Sequence, residues 1–163
     1  MTRNFGRRYS VVIVGAAAML LAAGDAAARG AAGCQVSTPT GRPVPGRSSF
    51  NFGNARIAVA LPPRATFAAI PDGSPGGANA FIQHDGWIRT KLGWWTAHET
   101  PRVTGRRLDG TSRPLRADIG PLSGTLNGTF YPSNLYFSSF GCWRITATAD
   151  GARLVAVVRV VRK

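Results

Sequence analysis

From residue 56 to the C-terminus, the apolar residues come in short runs divided by Gly, Pro, Asp and Asn. No run keeps a helical spacing, and short apolar runs bounded by turn formers read as β-strands. Residues 56–61 form one such run, stopped by Pro62-Pro63. Residues 66–70 form another, stopped by Pro71-Asp72-Gly73. Residues 74–79 are a Gly-rich loop. Strands at 81–84 and 87–91 flank Asp85-Gly86. Residues 102–108 end at Asp109-Gly110, and residues 115–119 at Gly120-Pro121. The aromatic-rich stretch 129–140 predicts one short strand, near 135–137.

The strongest local signal is at the end of the chain. Residues 142–149 and 153–161 flank Asp150-Gly151, and Asp-Gly between β-rich runs marks a two-residue type I′ hairpin. Such a loop pairs Ala149 with Ala152. It then sets Ala147 against Leu154, Ile145 against Ala156, and Trp143 against Val158. Alternation puts this apolar set on one face, and a slip of one residue would drive Arg144 into the core. Each large side chain buried there contributes roughly 1.5–3 kcal/mol. A lone ribbon is marginal in water, so the hairpin must belong to a larger sheet.

The first 28 residues read as a secretory signal. Arg3, Arg7 and Arg8 form a basic start, residues 11–23 are uncharged and mostly apolar, and Ala26-Ala27-Ala28 supplies a cleavage site. The apolar run stops at Asp25, short of an ordinary span of ~20 residues. An uncut anchor is the competing reading, and Arg7-Arg8 is a weak twin-arginine signal. Cleavage after Ala28 leads to a Pro- and Gly-rich lead-in, 29–49, and a single domain, 50–163. The expected location is outside the cell, in the periplasm or in the cell envelope.

Composition adds charge. The chain has 163 residues with 20 Lys+Arg and 7 Asp+Glu. Without Arg3, Arg7, Arg8 and Asp25, 17 basic and six acidic residues remain, a charge of +11. Only Lys91 and Lys163 are lysines. The arginines are spread along the chain and no nucleic-acid motif accompanies them, which argues against a nucleic-acid partner. An anionic envelope polymer or another exported protein is the expected partner class. Membrane contact would require an uncut signal or a lipidated cysteine.

Cys34 and Cys142 leave three readings open. An even count in an oxidising compartment favours a disulfide. Ala31-Ala32-Gly33-Cys34 also has the outline of a lipobox, which would make the protein an envelope lipoprotein held through Cys34. Two free thiols would need a reducing compartment. No Cys-x-x-Cys spacing supports zinc, and no metal or other cofactor is expected.

Catalytic signals are sparse. His84-Asp85 and His98-Glu99 hold the only histidines. Neighbours on a strand point to opposite faces, so neither dipeptide is a ready acid–base pair. A metal-dependent or hydrolytic enzyme would need His84 and His98 to converge. Ser123 and Ser138 lack a Gly-x-Ser-x-Gly elbow. The densest aromatic and basic stretch holds Trp87, Arg89, Lys91, Trp94 and Trp95. Trp94 and Trp95 cannot both point inward on a strand, so Arg89, Lys91, Trp94 and Trp95 form the candidate ligand surface. The competing reading packs both tryptophans at a sheet edge or under a loop. Tyr131, Tyr136, Phe137 and Phe140 read as packing residues.

Specific motifs carry a resemblance. Gly141-Cys142-Trp143-Arg144-Ile145-Thr146-Ala147, then Asp150-Gly151 and Val157-Val158-Arg159-Val160, form the most telling block. Thr90-Lys91-Leu92-Gly93-Trp94-Trp95, Gly105-Arg106-Arg107-Leu108-Asp109-Gly110, Pro114-Leu115-Arg116-Ala117 and the early Cys34 add to it. Together they resemble uncharacterised exported bacterial proteins whose Ig-like β-sandwich ends in a Gly-Cys-Trp hairpin. Arg144 stands where that family carries an acidic residue, and Gly93 where proline is common. The resemblance implies a fold and no activity. The expectation is an all-β, Ig-like antiparallel β-sandwich behind a cleaved signal helix, acting as a non-catalytic binding or structural module.

Overall fold

The computed structural model describes residues 33–125 and 128–163. The predicted signal segment, 1–28, lies outside the described residues. Eleven strands follow one another: β1 (Phe52–Gly53), β2 (Ile57–Val59), β3 (Thr66–Pro71), β4 (Ala80–Ile82), β5 (Ile88–Thr96), β6 (Arg102–Arg107), β7 (Arg116–Ile119), β8 (Ser123–Thr125), β9 (Gly128–Phe137), β10 (Gly141–Ala149) and β11 (Ala152–Arg162). A single 3-10 turn, Pro63–Ala65, precedes β3, and there is no α-helix among the described residues. The all-β reading holds.

The strands form one mixed sheet. Its main path is β1-β2-β5-β4-β3-β11-β10-β6, and β9 pairs with β5 while also carrying β7 and β8. The wholly antiparallel expectation needs correction, because β3 runs parallel to both β11 and β4. Apolar patterning in strands this short is blind to direction, since inward residues alternate equally in both kinds of ladder. Strand β6 ends the main path and β7 lies off it beyond β9, yet the two are consecutive in the chain. Leu115 N–H, just before β7, donates to the Gly105 carbonyl of β6 at 3.0 Å. The sheet therefore curls over a shared core. Phe137 of β9 meets Trp143 of β10 edge-on at 5.3 Å between ring centroids, and Phe67 of β3 lies 5.7 Å from Phe137. Ile57, Trp94, Leu135, Ile145 and Val158 belong to the same buried cluster.

The C-terminal hairpin follows its local chemistry. Ala149 pairs with Ala152, Ala147 with Leu154, Ile145 with Ala156 and Trp143 with Val158. Asp150 (φ 52°) and Gly151 (φ 66°) supply the two left-handed residues of the turn. Asp150 does more than turn the chain. Its carboxylate accepts the N–H groups of Ala97, His98 and Glu99 at 2.7–3.1 Å, while its own N–H donates to the Glu99 carboxylate at 2.7 Å. The turn is thereby tied to the loop between β5 and β6. Desolvation raises the Asp150 pKa, but the hydrogen bonds from His98, Glu99 and Ala97 and the charge of His98 outweigh it, leaving the carboxyl below its ordinary range.

The chain from 129 to 140 departs from expectation. A ten-residue strand, β9, replaces the short one predicted at 135–137. Pro132 hid it, since proline argues against a central strand. The Pro132 carbonyl accepts from Gly120 N–H at 2.7 Å, so its missing N–H faces that same edge. There β7 has ended at Ile119 and β8 has not begun, and no ladder bond is lost.

Cys34 is bonded to Cys142, with 5.5 Å between their Cα atoms. The disulfide reading of the three is the one the structure has, and neither cysteine is a free thiol. The bond closes a separation of 108 residues, worth about 4–5 kcal/mol in the chain-entropy account. The lead-in lies against β11: Ser37 N–H donates to the Val157 carbonyl at 2.8 Å, and Val157 N–H donates to Ser37 Oγ at 2.9 Å.

Candidate ligand-binding face

β5 divides its residues cleanly. Ile88, Thr90, Leu92, Trp94 and Thr96 are buried; Arg89, Lys91, Gly93 and Trp95 lie on the opposite, outward face. Trp94 is 1% exposed, and its Nε1–H donates to Ser133 Oγ at 2.9 Å. That removes Trp94 from the candidate ligand surface: it is a core residue whose one polar atom is satisfied. Trp95 is half-buried. It packs with Val44 of the lead-in and with Phe50 and Ala58, and the Arg47 guanidinium stands 5.8 Å from its ring centroid. Trp95 thus keeps one side for solvent and loses the other to the lead-in.

Neighbouring strands widen the face beyond the residues expected. Cross-strand pairing lines up Phe81, Arg89, Tyr136 and Arg116 over β4, β5, β9 and β7. Arg116 lies 4.0 Å from the Tyr136 ring centroid, and Arg113 lies 4.5 Å from that of Trp87. Such cation–π pairs hold the rings in place at about 0.5–1 kcal/mol each when exposed. Arg89 also reaches Asp72 at 3.8 Å. Two residues along each strand, Lys91 faces Asn134 and Asn134 faces Asp118. Next comes Gly93 opposite Pro132.

Those two small residues make a hollow. A depression of about 550 Å³ has Gly93, Pro132 and Phe130 in its lining, together with Lys91, Asn134 and Asp118. A Cβ at Gly93 would lie 3.2 Å from the Phe130 ring and 3.7 Å from the Phe50 ring, so glycine is what lets these rings pack down onto the sheet beside the depression. An apolar floor with a few polar groups around it is the usual make-up of a small-ligand site.

Tyr136 was read as packing, but alternation along β9 puts Tyr131, Leu135 and Phe137 inside and Asn134 and Tyr136 outside. That period-two signal was in the sequence once the whole stretch was granted to one strand. Tyr131 and Phe137 are core residues, and Phe140 packs partly buried against the core. Arg116 and Asp118 needed the β7–β9 pairing to join the face.

The histidines do not converge. His84 lies in the turn before β5 and His98 in the loop after it, both exposed. Nine residues of strand separate them, a span of ~27 Å. The enzyme alternative built on that pair has no common site. Among the described residues no three His, Cys, Asp or Glu side chains form a group able to hold a metal ion. No family model matches this chain, and no curated protein or solved structure matches it.

Proposed function

We propose that this protein is an exported, non-catalytic binding module with an Ig-like β-sandwich, and that the outward face of β5 and β9 holds its ligand. The ligand class that suits the face is a saccharide. Aromatic faces stack on the apolar face of a sugar ring, and Lys91, Asn134 and Asp118 offer donors and acceptors in the lining. The observation that carries this reading is the depression lined by Gly93, Phe130 and Pro132, which Lys91 of the predicted face also lines.

The Ig-like part rests on how the pairings group. The order β2-β5-β9-β7 on one arm and β6-β10-β11 on the other reproduces, in chain order, the A-B-E-D and C-F-G sets of the immunoglobulin plan. Strands β3 and β4 bridge the arms. Export is supported by the composition of residues 1–28 and by a disulfide, which needs an oxidising compartment to persist.

A glycan array probed with the protein from residue 29 onward tests the ligand, and calorimetry with Gly93→Val tests the site. Val at 93 fills the hollow, so binding should fall at least tenfold, about 1.4 kcal/mol. Binding unchanged in Gly93→Val would remove the hollow from the reading. Export is tested by the intact mass of the protein from its host, which should begin near Arg29 with both thiols protected until reduction.

A further inference from the structure

Four of the arginines that look scattered along the chain gather on the other arm of the sheet. On the outward face of β6, β10 and β11, Arg106 sits directly opposite Arg144, and Arg144 opposite Val157. The middle row is Thr104, Thr146 and Val155. The last row is Arg102, Thr148 and Arg153. All four arginines are exposed. Of the two ion pairs among the described residues, Arg89–Asp72 and Arg107–Asp109, neither involves them. The carboxylates at the loop end of this arm, Asp150 and Glu99, are engaged with backbone N–H groups.

Like charges directly opposed in a sheet destabilise it, and Arg106 and Arg144 do so with no acid between them. We propose that this face binds a linear chain of phosphate groups. Each internal phosphate of such a chain carries one negative charge on two free oxygens, and one oxygen can accept a charge-assisted hydrogen bond from each of two guanidiniums. Opposed arginines, with Cβ atoms about 5 Å apart, suit one phosphate held from both sides. Arg102 lies four residues along β6, ~13 Å away, so one phosphate cannot reach both ends and a chain can. The threonines between them supply hydroxyl donors along the way. No aromatic side chain stands at the nine positions of this face, so it offers no platform for nucleic-acid bases. Its apolar part is Val155 and Val157 alone, too little to insert into a bilayer. The proposal is independent of the β5–β9 ligand face.

The experiment measures binding of long-chain inorganic polyphosphate to the protein from residue 29 onward, at two salt concentrations. Arg106→Gln/Arg144→Gln and Arg102→Gln/Arg153→Gln should each weaken binding at least tenfold and flatten its salt dependence. Arg42→Gln/Arg56→Gln removes the same charge from exposed sites off the face and should stay within about twofold. Tripolyphosphate, too short to join the two rows, should bind at least tenfold more weakly. Melting temperatures of the face variants should equal or exceed that of the parent, because opposed charges are relieved. Equal weakening in the control pair would overturn the proposal, reducing it to net charge. So would polyglutamate, single-stranded DNA or phosphatidylglycerol vesicles binding as tightly as polyphosphate at equal charge, or no binding of polyphosphate at all. Loss of saccharide binding in Gly93→Val bears on the other face alone.

Discussion

The two arms of this sheet reach the same end by different routes. The β10–β11 ribbon is held in register by a two-residue turn, and every inward residue follows from that turn. The β5–β9 pairing has no such turn. Its strands are separated in the chain by β6, β7 and β8, and its register is set by what must be buried: Trp94, Leu135 and Phe137. Their outward faces differ accordingly. The hairpin arm presents arginine and threonine in rows. The β5–β9 arm presents aromatic rings, a lysine and a depression lined by Gly93, Pro132 and Phe130. The pairing made by packing admits Pro132 because the adjoining ladder has a gap there.

The largest effects should come from the core that both arms share. Trp143→Ala and Trp94→Ala, one on each arm, should each cost about 3–5 kcal/mol in denaturant unfolding. Trp95→Ala should cost about 1–2 kcal/mol, since Trp95 is only partly buried. A Trp95 loss equal to that of Trp94 would abolish the distinction between inward and outward faces of β5.

Removing the disulfide comes next. Cys34→Ser with Cys142→Ser should cost roughly 2–5 kcal/mol. Hydrogen exchange should quicken at Ser37 and Val157, which the lead-in holds, and hardly change in β5 and β9. Equal loosening of both arms would mean that the bond supports the whole sheet rather than the hairpin arm. Pro132→Ala should be milder, within about 1 kcal/mol, because the restored N–H faces the gap between β7 and β8. A larger loss would show that the proline itself shapes the β5–β9 arm.

The smallest effect concerns Asp150 and is one of pH. Its folded-state pKa is lowered, so the stabilisation from its ionised form is complete above its unfolded pKa of about 3.9 and is lost as pH falls through the folded value below that. Asp150→Asn keeps a residue that favours the type I′ turn but has no carboxylate to titrate. Thermal melts from pH 7 down to pH 2 should therefore decline less steeply in the variant. Identical acid profiles would show that the tie between the hairpin turn and the β5–β6 loop does not depend on charge.

Much of this protein was legible from residues close together in the chain. The Asp150-Gly151 turn and its register and the strands beginning at Thr66 and Arg102 follow from period-two patterning and turn chemistry, as does the rule that Trp94 and Trp95 cannot both face inward, though not which of them does. These act over a few residues, so the chain carries them wherever it folds. Only the tertiary structure decided the rest. It joined Cys34 to Cys142, ran β3 parallel to β11, and gave β9 its full length by setting Pro132 at a gap in the ladder. It also covered half of Trp95 with the lead-in, set Tyr136 and Arg116 beside Arg89, and drew Arg102, Arg106, Arg144 and Arg153 onto one face. Each of these depends on which strands become neighbours, and strand neighbours are chosen by burial of a common core rather than by any local sequence.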